Sequence, residues 1–277
     1  MIMDAYLDAG EGIYLHYLDA GEGRPILFVP GWTCQANHFR TLIGMLADAG
    51  WHAVSFDPVD HGESDHDPTC TTYAQQAEGI QAIIDALELD GVVLCGWSFG
   101  ATACWEYLRK HGFDRISAFV DIDNPPLALN EDRYEYRGNS PEGFRKQMDA
   151  YLDSEEDFRR FVEEKFLDGI FFNSPPSDPD VRARFVDGSL RVPLDIARAL
   201  FEDGHLADER DIMAKTAERV PCLFFVADYR REQGLACLAR DYPNARVEAF
   251  GNHMMFWEHP VRFFEALTSV LNDNGLD

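Results

Sequence analysis

Short apolar runs alternate with stretches of helical spacing along most of this chain. Residues 13–18 alternate between apolar and polar positions and predict an early strand, closed by a turn at Ala20–Gly23. Pro25-Ile-Leu-Phe-Val-Pro30 is continuously apolar, which suits a strand buried on both faces of a parallel sheet. A helix is predicted over 36–49, with Phe39, Leu42, Ile43 and Leu46 on one face and Gly50 at its end. His52–Phe56 is a second buried strand, ending at Asp57-Pro58. Residues 59–72 are polar and rich in Gly and Asp, hence a loop, and 73–88 return to helical spacing. Val92–Cys95 predicts a third buried strand running into Gly96, 101–111 a helix, and Ile116–Ile122 a fourth buried strand before Asp123-Asn-Pro-Pro126.

From about 127 to 215 the character changes to charge and aromatics, with helical stretches near 141–168, 178–187 and 193–203. The break Asn173-Ser-Pro-Pro-Ser-Asp-Pro179 interrupts them. Core patterning resumes at Pro221–Ala227, followed by a helix over 231–241, a strand at 246–250 and a helix over 260–272. Strands alternating with helices predict an α/β fold, a mostly parallel central sheet flanked by helices. The expected organisation is a core of 1–126 and 216–277, with 127–215 inserted as a helical cap.

Composition bounds the partners. With 24 basic and 49 acidic side chains the formal charge is −25, so the surface repels phosphate backbones and anionic headgroups. A small-molecule substrate is expected, with no nucleic acid and no membrane as partner; a homodimer is left open. The N-terminus has no basic segment followed by an apolar one, and no apolar run approaches the ~20 residues of a bilayer span. A cytoplasmic location is the expectation. Cys34, Cys70, Cys95, Cys104, Cys222 and Cys237 form no C-x-x-C pair and read as small reduced core residues, with no metal or other cofactor expected.

The chemistry centres on Gly96-Trp97-Ser98-Phe99-Gly100. This is G-x-S-x-G between a strand and a helix, where a sharp turn lifts the serine hydroxyl clear of the backbone. Side chains two residues before and after would collide, hence the glycines. The helix N-terminus also aims N–H groups at a developing oxyanion. The bland alternative is a glycine-rich turn with a bystander serine. A serine hydroxyl needs a base, and His253, in a loop between the last strand and last helix, is the best placed of nine histidines. His16, His52 and His111 read as structural or exposed, His61 as bordering the site, and His259 as opening the last helix.

These motifs together resemble the α/β-hydrolase superfamily along nearly the full length, within it the esterases and cofactor-free haloperoxidase-like enzymes. The matching residues are Val29-Pro30-Gly31-Trp32, Phe56-Asp57-Pro58 with His61-Gly62-Glu63-Ser64, the elbow at 96–100, and Gly251-Asn252-His253 with Phe256-Trp257-Glu258-His259-Pro260. The resemblance implies Ser98 as nucleophile, His253 as base, and an oxyanion hole from the backbone N–H groups of Trp32 and Phe99. In most relatives the acid follows the strand equivalent to Leu223–Ala227, and there this chain has Arg230. Asp228 stands two residues early. Asp123, after Ile116–Ile122, is the favoured replacement, as in certain dehalogenases and cofactor-free quinolone dioxygenases; Asp228 and Asp121 stay open. Val59-Asp60 replaces the usual Arg-Gly, which leaves the 58–64 loop conformation undecided.

The resemblance and the motifs imply a serine hydrolase acting on a small ester or related acyl substrate through a Ser98–His253–Asp123 triad. Trp32, Trp97, Phe99, Phe256 and Trp257 suggest an apolar pocket. A second reading uses His253 and Asp123 as a dyad in a cofactor-free dioxygenase acting on a quinolone-like substrate. A third is a non-catalytic binding protein on the same fold, against which the Ser/His pair argues.

Overall fold

A computed structural model of the chain describes residues 1–128, 141–273 and 275. The elements run β1 (Met3–Asp8), β2 (Tyr14–Ala20), β3 (Pro25–Val29), α1 (Arg40–Asp48), β4 (His52–Phe56), α2 (Tyr73–Ala86), β5 (Val92–Trp97), α3 (Phe99–His111) and β6 (Ile116–Ile122). Helices α4 (Pro141–Tyr151), α5 (Glu155–Phe161), α6 (Pro179–Ser189), α7 (Leu194–Leu206) and α8 (Arg210–Arg219) follow, with a π-helical stretch at Val162–Ile170 continuing α5. The chain then forms β7 (Cys222–Val226), α9 (Arg231–Asp241), β8 (Arg246–Ala249), α10 (Met255–Glu258) and α11 (Pro260–Asp273).

The strands form one sheet in the order β1-β2-β4-β3-β5-β6-β7-β8. β1 and β2 are antiparallel to their neighbours, and β3 to β8 are parallel. The predicted α/β class is the observed one. β3, β5 and β7 are buried along their whole length, as their unbroken apolar runs require. Each Leu, Ile, Val or Phe so buried stabilises the fold by roughly 1.5–3 kcal/mol before conformational entropy is set against it. β1 adds a strand where the sequence analysis assigns none: it is a mostly exposed edge whose side chains carry little patterning.

Local chemistry sets the helix starts. Thr72 caps α2 and Gln75 reaches back to it, Ser154 caps α5, and Asp178 caps α6 just before Pro179. Helices α4 to α8 lie between β6 and β7 in sequence, in the stretch expected to be a cap. α8 runs to Arg219, through the expected boundary at 215–216, and residues 129–140 of that stretch lie outside the described residues. All six cysteines are buried thiols. Among the described residues no helix is long and apolar enough to cross a membrane.

Candidate active site

Ser98 sits between β5 and α3 with φ +52° and ψ −135°, a left-handed conformation that non-glycine residues seldom adopt. The glycines around it are sterically required. A Cβ on Gly96 would lie 2.3 Å from Ala101 Cα, and one on Gly100 2.2 Å from the Val29 carbonyl oxygen. On the facing loop, a Cβ on Gly31 would lie 2.8 Å from Ser98 Cβ. The Ser98 backbone N–H donates to the Ile122 carbonyl at 2.9 Å, which ties the elbow to the end of β6.

That strand end carries Asp123, also left-handed at φ +58° and 4% exposed. Its Oδ2 lies 2.6 Å from His253 Nδ1, and His253 is itself only 4% exposed. Asp123 Oδ1 accepts from Ala227 N at 3.0 Å, and Oδ2 accepts from the Tyr229 hydroxyl at 2.8 Å. Burial pushes the Asp123 carboxyl up, but the nearby Arg230 charge and the His253 hydrogen bond outweigh it, so the group is held below the usual carboxylate range. The competing carboxylates are placed elsewhere. Asp228 is exposed and paired with Arg231. Asp121 is buried, accepts from Asn124 N at 2.9 Å, and burial raises it far above the usual range. The carboxylate that meets His253 is therefore Asp123.

Ser98 and His253 line one cavity. They share the cavity rather than a hydrogen bond with each other. The walls include Trp32, Trp97, Phe99, Phe166, Phe171 and Phe201, with Arg230 the one charged side chain among the described lining residues. Of the aromatics named from sequence, Trp32, Trp97 and Phe99 reach the cavity. The other two do not: Phe256 is stacked on Phe39 in the core, and Trp257 packs against Phe172 and Phe185 while 36% exposed. Their place beside the histidine in sequence does not survive the turn into α10. Among the described residues no group of three or more His, Cys, Asp or Glu side chains is arranged to hold a metal ion.

The backbone N–H of Phe99 opens α3, where first-turn N–H groups have no intrahelical acceptor, and Trp32 lies on the loop facing Ser98. That loop is locked from behind. Thr33, at φ +56°, donates its N–H to His61 Nε2 at 3.2 Å, and His61 Nδ1 donates to the Val59 carbonyl at 2.9 Å. That pair of bonds, one accepted and one donated, requires the neutral imidazole, and burial shifts His61 in the same direction, downward. The 58–64 loop keeps its turn because Asp60 takes φ +69° itself, in the place where relatives were expected to have Gly. Trp32 Nε1 donates to the Ala197 carbonyl of α7 at 2.7 Å, and His253 N donates to the Ile170 carbonyl at 3.0 Å. The inserted helices thus clamp both the facing loop and the histidine loop. Sequence reading missed Tyr229, Phe166, Phe171, Phe201 and these clamps; the aromatic enrichment after residue 127 was the only signal.

A family model described as α/β hydrolase fold matches residues 24–161. The chain is 27% identical over 145 residues to the AB hydrolase superfamily protein YisY of Bacillus subtilis, an alignment covering 52% of this chain and 52% of that protein. It is 26% identical over 124 residues to non-heme chloroperoxidase CPO-A1 of Kitasatospora aureofaciens, covering 44% of this chain and 45% of that one. The chain thus spans about half the length of these two relatives. Solved structures match over nearly everything. A bromoperoxidase from Bacillus anthracis superposes with a TM-score of 0.83 at 19% identity, covering 98% of this chain and 100% of that one. An esterase from Exiguobacterium antarcticum gives 0.83 at 24% identity, with the same coverage.

Proposed function

The chain belongs to the α/β-hydrolase superfamily, and from that premise we propose that it is a serine hydrolase of small esters or related acyl compounds. Ser98 Oγ attacks the acyl carbon while His253 Nε2 takes its proton. The tetrahedral oxyanion is held by the backbone N–H groups of Trp32 and Phe99. Collapse of the intermediate expels the alkoxide, which receives the proton from His253. Water, deprotonated by the same ring, then releases the acyl group as an acid. Asp123 stays ionised throughout, orienting the imidazole and stabilising its charged form.

One observation carries this reading: a single cavity collects Ser98, on its left-handed elbow, and His253, backed by a buried aspartate. The aromatic walls favour a largely apolar acyl or alcohol part. The similar proteins named above include an esterase and haloperoxidases, and nothing among them supports the dioxygenase reading. The test is a panel of short-chain nitrophenyl esters and lactones, with a fluorophosphonate probe followed by peptide mass mapping. Ester turnover and labelling at Ser98 are expected. An unlabelled Ser98 in folded protein, or a Ser98→Ala variant with wild-type turnover, would defeat the proposal.

A further inference from the structure

Asp123 is held from two sides. The end of β6 places its backbone, and the loop after β7 reaches back over its carboxyl group. From that loop Ala227 N donates to Oδ1 at 3.0 Å and the Tyr229 hydroxyl donates to Oδ2 at 2.8 Å. His253 Nδ1 uses the same Oδ2 at 2.6 Å, and the Tyr229 hydroxyl lies 3.4 Å from that nitrogen. One carboxylate oxygen therefore serves two donors, one from each loop. Tyr229 is 42% exposed, so core packing does not dictate where its ring lies. The Arg230 guanidinium sits 5.1 Å from the centre of that ring. The hydroxyl nevertheless points inward to a buried carboxylate instead of outward to water. Tyr229 is not among the residues lining the cavity, so it reaches a substrate only through the pair it touches.

We propose that Tyr229 is a positioning residue for His253 and Asp123, fixing the carboxylate and drawing off part of its charge; this rests on the hydrolase reading above. Among the described residues, the other groups facing the pair are Arg230 from the same loop, Asp121 from β6 and Ser98 from the elbow, with the Trp97 and Phe171 rings against the imidazole. Burial pushes the Asp121 carboxyl well above the usual carboxylate range, and the Arg230 charge helps hold Asp123 below it. A Tyr229→Phe substitution leaves all of these in place and removes one donor. Among the described residues, His253 is then the only side chain donating to Oδ2. More of the carboxylate charge acts on the imidazolium, so the charged ring is favoured and the base is lost at a higher pH.

The experiment compares the full-length wild type with Tyr229→Phe and Tyr229→Ala, using nitrophenyl acetate and a pH series. The acid limb of kcat/KM is expected to move up by roughly half a unit to one unit in both variants. kcat should fall about 3- to 10-fold, with KM within about twofold because Tyr229 does not line the cavity. A Tyr229→Phe enzyme with the wild-type limb and kcat overturns the proposal. So does a Phe variant that restores what Ala loses, since the ring alone would then matter. Titration of the His253 ring by NMR gives the same answer without turnover: an upward shift in Tyr229→Phe supports the role, and an unmoved ring refutes it. If the wild type neither hydrolyses esters nor labels at Ser98, the hydrolase reading fails, and the NMR titration still decides what Tyr229 does to the pair.

Discussion

Two buried histidine–aspartate pairs in this molecule look alike and do different work. His253 Nδ1 lies 2.6 Å from Asp123, and His16 Nδ1 lies 2.7 Å from Asp57. The second pair even has a serine beside it, for Ser64 Oγ accepts from the His16 backbone N–H and donates to the Asp57 carbonyl. The difference lies in the other ring nitrogen. His16 Nε2 is bound to Asp4 at 2.5 Å, so the ring is gripped by a carboxylate at each end. Burial alone would lower this imidazole, but hydrogen bonds and charges from Asp57 and Asp4 outweigh it and push it up to about 9. A ring that is charged at neutral pH and bonded at both nitrogens cannot accept a proton from a hydroxyl. His253 spends one nitrogen on Asp123 and faces a cavity shared with Ser98. A short His–Asp contact is therefore no mark of catalysis by itself; the surroundings of the second nitrogen decide.

The largest expected contrast is between the two serines. Ser98→Ala should lower ester turnover by about 10⁴- to 10⁶-fold, whereas Ser64→Ala should leave turnover of folded protein within about twofold. Steady-state kinetics at matched folded concentrations checks both, and a Ser64 variant as inactive as the Ser98 one would collapse the distinction.

The aspartates should separate next. Asp123→Asn should cost roughly 10²- to 10⁴-fold in kcat, because the imidazole loses its orientation and its counter-charge. Asp57→Asn should instead cost about 3 kcal/mol of stability by leaving His16 charged and half-paired, with kcat of the folded fraction little changed. Urea midpoints and kcat measured on the same preparations give the two numbers.

A pH prediction follows for the structural pair. Because the folded value of His16 lies above its ordinary 6.5, its contribution to stability is complete below about pH 6.5 and is lost as pH rises through about 9. The urea midpoint of the wild type should fall across that window, and His16→Gln should flatten the fall. The smallest effect is expected at Asp228, exposed and paired with Arg231. Asp228→Asn should change kcat by no more than about twofold, and a loss as large as that of Asp123→Asn would move the acid to the β7 loop.

What could be read without a structure was written locally. The buried strands announce themselves as apolar runs, and the elbow as glycines two residues either side of Ser98, because each constraint acts on atoms a few bonds away. The parallel sheet followed from those runs and the helices between them. The partnership of His253 with Asp123 joins residues 130 positions apart. Sequence could nominate Asp123 but could not exclude Asp228, since both follow strands and only the packing of β6 beside β7 turns one inward and the other to solvent. The same holds for Tyr229, whose place in a polar loop hides a hydroxyl aimed at a buried carboxylate. The helices after β6 supply Phe166, Phe171 and Phe201 to the cavity by a fold-back that no local periodicity encodes. Elements and the elbow are short-range consequences of sterics and solvent. The identity of the acid, the support behind it and the walls of the pocket are long-range contacts, and these existed only once the sheet had assembled.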